Sequence, residues 1–281
     1  MRLKGLRRSR NIEDRRRSGG AGRGAGIGGV GVLVVLAIGY FAGIDVTPLL
    51  QGMQDGGPVQ SAPRELSAEE QRAADFSARV LTSTEEVWTG ILPQQAGLDY
   101  VPPVLVLFSG VTRSPCGGAS GATGPFYCPA DRKAYLDTEF FATLARDLGA
   151  RGDFAAAYVI AHEVAHHVQN QLGILGEVNA ARQGASEAEA NALTVRLELQ
   201  ADCLSGIWAR AVGERLEPGD IEEALNAARR IGDDHLQRQA GRVPQPHTFT
   251  HGTSEQRARW FARGSDSGQM RACDTFAAGS L

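Results

Sequence analysis

The stretch from Asp153 to Leu172 confines the fold of this chain more tightly than any other. Phe154, Ala157, Tyr158, Ala161, Val164, Ala165, Val168 and Leu172 return every three or four residues, the period of a helix with one broad apolar face. Asp153 stands where a cap is expected and Gly173 where such a helix stops. A face of that width must be buried against other elements, and it carries His162-Glu163-Val164-Ala165-His166 with it. Residues four apart share a helix face, so the two imidazoles can bind one ion while Glu163, one residue on, points towards a water on that ion. Zinc accepts imidazole nitrogen and carboxylate oxygen in a tetrahedron, and a catalytic zinc keeps one corner for water, so three protein ligands are needed.

The pattern that would supply a third histidine from the same helix is absent, because Gln169 stands at its glycine position and Leu172 at its last histidine position. A second long helix is expected from Ser186, with Glu189 completing a capping box, to about Val212, its apolar stripe formed by Leu193, Leu197, Ala201, Leu204 and Trp208. It carries Glu198 and, one turn later, Asp202. Two carboxylates four apart on a solvated face repel mildly. A nearby metal gives the pair a purpose, with Glu198 as third ligand and Asp202 accepting from the free ring nitrogen of a ligand histidine, which fixes tautomer and orientation. His167 is off the ligand face and reads as structural. Candidates to donate to a developing oxyanion are His251, ranked first, then Tyr127 and Tyr135.

Charge is distributed unevenly. Residues 1–25 hold nine Lys and Arg against Glu13 and Asp14, a local excess of +7 in a chain of net charge −3. They abut residues 26–44, GIGGVGVLVVLAIGYFAGI, which lack any charge. As a helix that run spans about 28 Å, close to a hydrocarbon core of about 30 Å. Basic residues stay cytoplasmic, so the expected organisation is a basic cytoplasmic tail over 1–25, one transmembrane helix over 26–44, a Gly/Pro-rich linker over 45–65 and an extracytoplasmic domain over 66–281. A span beside the basic tail argues against nucleic acid as its partner. All four cysteines lie in the domain, where disulfides form and persist. Of the three possible pairings, Cys116–Cys128 as a local clasp and Cys203–Cys273 as a long one are favoured.

Within the domain, Ser67 and Glu70 form a capping box for a first helix reaching about Gly90. Val104–Phe108 is a short buried strand, and the loop between Cys116 and Cys128 returns into a strand that Ala134-Tyr135-Leu136 continues or pairs with. That strand also offers an edge on which an extended substrate could dock. Shorter helices follow Asp220 and Thr253. The domain is therefore α+β, mainly helical with a small sheet.

HExxH followed by ExxxD on a separate helix is the gluzincin arrangement of zinc peptidases. NIEDRR, the anchor, FYCPADRKAYLD, HEVAHHVQNQLG, ELQADCLSGIWA, IGDDHLQRQ and FTHGTSEQRARWF together resemble the bacterial membrane-anchored neutral zinc metallopeptidase family. The resemblance implies a zincin-like domain with one catalytic Zn2+ held by His162, His166 and Glu198, and Glu163 as general base. The expected function is a membrane-anchored zinc endopeptidase that hydrolyses peptide bonds through a zinc-activated water. Two other readings compete: a metal-stabilised, membrane-tethered binding module without hydrolysis, and a zinc hydrolase acting on cell-wall cross-links. A closed structural site normally has four protein ligands, and three plus a base argue for the enzyme.

Overall fold

A computed structural model of the chain describes residues 1–17, 65–120 and 124–281. The proposed span over 26–44 and nearly all of the linker lie outside the described residues, among which no helix is long and apolar enough to cross a membrane. Met1–Asp14 and Ser67–Leu281 form one compact unit.

Its first helix, α1, runs Ala68–Ala96 behind the expected Ser67–Glu70 capping box. It passes Gly90 and stops at Gly97, whose left-handed φ of 69° closes the last turn onto the Pro93 carbonyl. Glycine favours a helix end only where the backbone needs that conformation, and Gly90 has no positive φ. Five strands follow. β2 (Val104–Phe108), β5 (Phe126–Cys128) and β6 (Lys133–Asp137) join a four-stranded sheet, while β3 (Val111–Ser114) and β4 (Gly117–Ser120) form a separate antiparallel hairpin.

The sheet's remaining strand is β1 (Ile12–Asp14), and the sheet order is β1-β2-β6-β5. Met1–Asp14 of the basic segment thus pack with the domain. Ile12 pairs with Leu105, Glu13 with Val106 and Asp14 with Leu107 in parallel. Met1, Leu3 and Leu6 are buried in the main core. Ser9 Oγ and Asn11 Nδ2 donate to Glu85 Oε1 at 2.5 and 2.8 Å, and Lys133 Nζ meets Glu13 Oε2 at 2.6 Å. Three apolar side chains among nine cations, and a strand of three residues, leave no readable period.

The helices build the rest: α2 (Phe140–Arg146), α3 (Asp153–Gln171), α4 (Ile174–Gln183), α5 (Glu187–Ala211), α6 (Asp220–Arg230), α7 (Asp233–Gln239) and α8 (Ser254–Ser267). α3 is the HEVAH helix and is buried without a break from Phe154 to Gln169, so it lies at the centre of the core rather than against one side of it. Gly152, not Asp153, is its N-cap, and Glu223 of α6 accepts the first-turn N–H of Phe154 at 3.1 Å. Gly173 (φ 81°) separates α3 from α4. α5 opens on the Ser186–Glu189 capping box. Phe154 stacks on Trp208 with ring centroids 5.4 Å apart, and Trp208 Nε1 donates to Ser83 Oγ of α1 at 3.1 Å. These contacts tie α3, α5 and α1 together. α8 packs onto α5 backbone to backbone. A Cβ at Gly264 would stand 1.8 Å from the Cys203 carbonyl oxygen, and one at Gly206 2.1 Å from that of Phe261. Both expected disulfides are formed, Cys116–Cys128 and Cys203–Cys273.

Candidate metal centre

α3 and α5 cross so that His162, His166 and Glu198 each offer one ligand atom, all within 4.8 Å of one another. Glu198 Oε2 lies 3.0 Å from His162 Nε2 and 3.4 Å from His166 Nε2. A zinc with ligand bonds of about 2.0–2.1 Å sets its tetrahedral edges at about 3.3–3.4 Å, so the three atoms already stand near the spacing the ion requires. The charges fit as well. Glu198 and Asp202 bring two carboxylates into a buried site, and burial disfavours their ionised form, yet Glu198 is held well below the usual carboxylate range by His166, His251 and His162. Burial likewise opposes a proton on His162, but Asp202 and Glu198 overcome it and push the imidazole up to about 10. The donor set thus attracts a cation, and an ion that binds there takes the proton's place.

Of the ring nitrogens turned away from the centre, that of His166 is hydrogen-bonded and that of His162 faces a carboxylate. Gln169 Nε2 donates to the Leu197 carbonyl at 2.8 Å and to Gln200 Oε1 at 3.0 Å. Its Oε1 therefore faces His166 Nδ1 at 2.9 Å, so Nδ1 carries the proton and Nε2 keeps its lone pair for an ion. His162 Nδ1 lies 2.9 Å from Asp202 Oδ1, a charge contact off the alignment of a hydrogen bond. Asp202 is fully buried. Burial opposes its ionisation, but Arg257 and His162 hold its carboxyl down at about 2. Tyr158, one turn before His162, donates to Asp202 Oδ1 at 2.5 Å.

Glu163 is buried beside the ligands at 8 % exposure. Burial raises its pKa, while His166 and His162 pull it down. His251 lies in the Phe249–Thr253 loop before α8. Asp233 at the start of α7 pins that loop, its Oδ2 accepting the backbone N–H groups of Thr250, His251 and Gly252 at 2.8, 2.6 and 2.9 Å. The His251 imidazole is about half exposed, its Nδ1 3.6 Å from Asp233 Oδ1, and it acts electrostatically on both Glu163 and Glu198.

The two tyrosine candidates are committed elsewhere. His167 Nε2 donates to the Val101 carbonyl at 2.6 Å, so its Nδ1 must accept from Tyr127 Oη at 3.0 Å, and Tyr127 in turn accepts from Asn170. Tyr135 donates to Asp131 at 2.6 Å. Neither hydroxyl proton is free for an oxyanion. His167 is structural, joining α3 to β5 and to the segment before β2. β5 pairs with β6 alone among the described strands.

Sequence reasoning missed Gln169, Tyr158, Asp233 and Arg257. Tyr158 and Gln169 sit at helical spacing from the ligand histidines and were within reach of the pattern. Asp233 and Arg257 are joined to the site only by the fold.

The sequence model of a family described as "putative neutral zinc metallopeptidase" matches residues 1–276. An uncharacterized protein of Escherichia coli strain K12, YpfJ, is 47% identical over 289 residues, covering 98% of this chain and 99% of that one. An uncharacterized protein of Mycobacterium tuberculosis is 43% identical over 212 residues, 71% of this chain and 69% of that one. No solved structure matches the chain.

Proposed function

The chain belongs to the neutral zinc metallopeptidase family, and on that premise we propose that it is a zinc-dependent endopeptidase with His162, His166 and Glu198 as metal ligands and Glu163 as general base. The observation that carries this reading is the convergence of three ligand atoms from two helices with a buried carboxylate beside them and, among the described residues, no fourth protein ligand in the group. Bound zinc supplies Lewis acidity, bringing a water's pKa towards about 7 and polarising a carbonyl. The chain's own residues do the rest. Glu163, its proton affinity raised by burial, accepts the proton of the attacking water at its carboxylate and returns it to the leaving amine. His251, oriented by Asp233, donates to the oxyanion. The edge of β5 that no described strand pairs accepts an extended peptide in strand pairing. The test is cleavage of an internally quenched peptide library by the zinc-loaded wild type and Glu163→Ala. Wild type cleaves, and Glu163→Ala keeps its zinc while losing at least about a hundredfold in rate. Zinc retention by both with cleavage by neither overturns the enzyme reading.

The proposal includes attachment to a membrane through the charge-free run 26–44, with the catalytic domain on the extracytoplasmic side, where its two disulfides persist. β1 shares a sheet with that domain, so while it is paired both lie on one side. A single crossing that leaves the basic end in the cytoplasm requires β1 to leave the sheet. Carbodiimide coupling of Lys133 to Glu13, 2.6 Å apart, read by mass spectrometry on the membrane-bound protein, separates the two. A coupled peptide shows the shared side. Lys133 that reacts with other reagents but never couples to Glu13 shows a cytoplasmic N-terminus.

A further inference from the structure

Arg257 is among the largest fully buried side chains, at 2 % exposure, and the chemistry above does not use it. An uncompensated buried charge is strongly destabilising, so its partners define its role. Its Nε and Nη2 donate to Oδ2 and Oδ1 of Asp202 at 2.9 and 3.0 Å, a two-pronged grip on the carboxylate. Nη2 also reaches Tyr158 Oη at 3.3 Å and Nη1 the Ile231 carbonyl at 3.2 Å, so the guanidinium is held from α3 and from the end of α6 as well. The backbone-to-backbone approach of α8 to α5 at Gly206 and Gly264 delivers it, and the Thr253–Gln256 capping box starts its helix. Asp202 Oδ1, which also accepts from Tyr158, lies 2.9 Å from His162 Nδ1.

We propose that Arg257 is a positioning residue of the metal centre: by gripping both oxygens of Asp202 it sets the carboxylate plane that orients His162, and so raises the affinity of the site for zinc. A planar fork fixes a carboxylate in orientation as well as position, whereas a lysine ammonium supplies the same charge at a single point. Partners behind a ligand histidine alter metal affinity by about 10–100-fold, and Arg257 acts one step further out through the same histidine. This rests on the reading of His162, His166 and Glu198 as zinc ligands.

The experiment measures zinc dissociation constants by chelator competition, and unfolding midpoints of the zinc-free proteins, for wild type, Arg257→Lys, Asp202→Asn and the double variant. Lysine keeps the charge but neither the fork on Asp202 nor the contacts to Tyr158 and Ile231, and the unfolding midpoints read the structural part of that loss apart from zinc affinity. Arg257→Lys is expected to weaken zinc binding about tenfold, while the double variant binds zinc as Asp202→Asn does. A purely structural Arg257 would lower the unfolding midpoint and leave the zinc affinity of the folded protein unchanged, which overturns the proposal. So does a further loss of zinc affinity when Arg257→Lys is added to Asp202→Asn. That last comparison also decides the matter if Arg257→Lys alone does not fold. A wild type without zinc affinity would instead refute the metal centre itself.

Discussion

Replacing Gln169 by leucine keeps roughly the volume of a fully buried side chain and removes three hydrogen bonds at once. The Leu197 carbonyl lies within α5 and keeps its helical partner, so its loss is small. Gln200 Oε1 and His166 Nδ1 lose a partner in a dry environment, at about 1–3 kcal/mol each. The buried leucine returns about 1–2 kcal/mol of apolar transfer. The zinc-free protein should therefore lose about 0–5 kcal/mol, centred near 2–3, read from urea unfolding. The larger effect is on the metal. Without Gln169 Oε1, the His166 ring is free to turn and to carry its proton on Nε2, the atom that faces Glu198. Zinc affinity should fall about 10–100-fold, equivalent to about 1.4–2.7 kcal/mol, measured by chelator competition. A variant that folds and binds zinc within about twofold of wild type would refute the claim that Gln169 fixes the His166 tautomer.

Three further outcomes follow from the packing. The Cys203–Cys273 bond closes a separation of 70 residues and the Cys116–Cys128 bond one of 12; chain entropy assigns them about 4 and about 3 kcal/mol, so Cys203→Ser with Cys273→Ser should lower stability by more than opening the short clasp, and equal losses in denaturant unfolding would contradict this. Gly264→Ala puts a methyl into the Cys203 carbonyl and should cost about 1–3 kcal/mol or more, whereas Gly90→Ala, with open space around it, should be neutral or slightly stabilising; a neutral Gly264→Ala in thermal melts would show that α5 and α8 pack otherwise. Burial raises the Tyr127 pKa from 10.0 to about 12 although Asn170 opposes it. The folded state then holds that proton more tightly than the unfolded chain, so its stabilisation is full below pH about 10 and is lost as pH rises to about 12. Tyr127→Phe should flatten that part of the stability profile, and an unchanged slope would remove Tyr127 as its source.

The long helices were legible because their apolar periods persist over five or more turns and their capping boxes are local: Ser67 with Glu70 and Ser186 with Glu189 start α1 and α5 where the pattern says. Glu198 and Asp202 were legible for the same reason, since position on one helix face needs no knowledge of the partner. The disulfide pairing favoured among three alternatives is the one formed. What failed was short or non-local. α4 and α7 run ten and seven residues, too few for a period to stand out, and β1 shows its partner only in three dimensions. Asp153 suits a cap by residue type, but the α3 N-terminus is served by Glu223 from α6. Arg257 near the start of a polar helix reads as a solvated cation. Its burial follows from glycines on two helices far apart in sequence.

The most direct test of the central claim is the stoichiometry and coordination of zinc in the purified full chain, from metal analysis and zinc-edge X-ray absorption on wild type and Glu198→Ala. One zinc per chain is expected, with two imidazole nitrogens at about 2.0–2.1 Å, carboxylate oxygen at about 2.0–2.2 Å and one further light ligand, and Glu198→Ala should lose the carboxylate contribution together with affinity. A chain that retains no zinc, or one whose zinc environment is unchanged by Glu198→Ala, would contradict it.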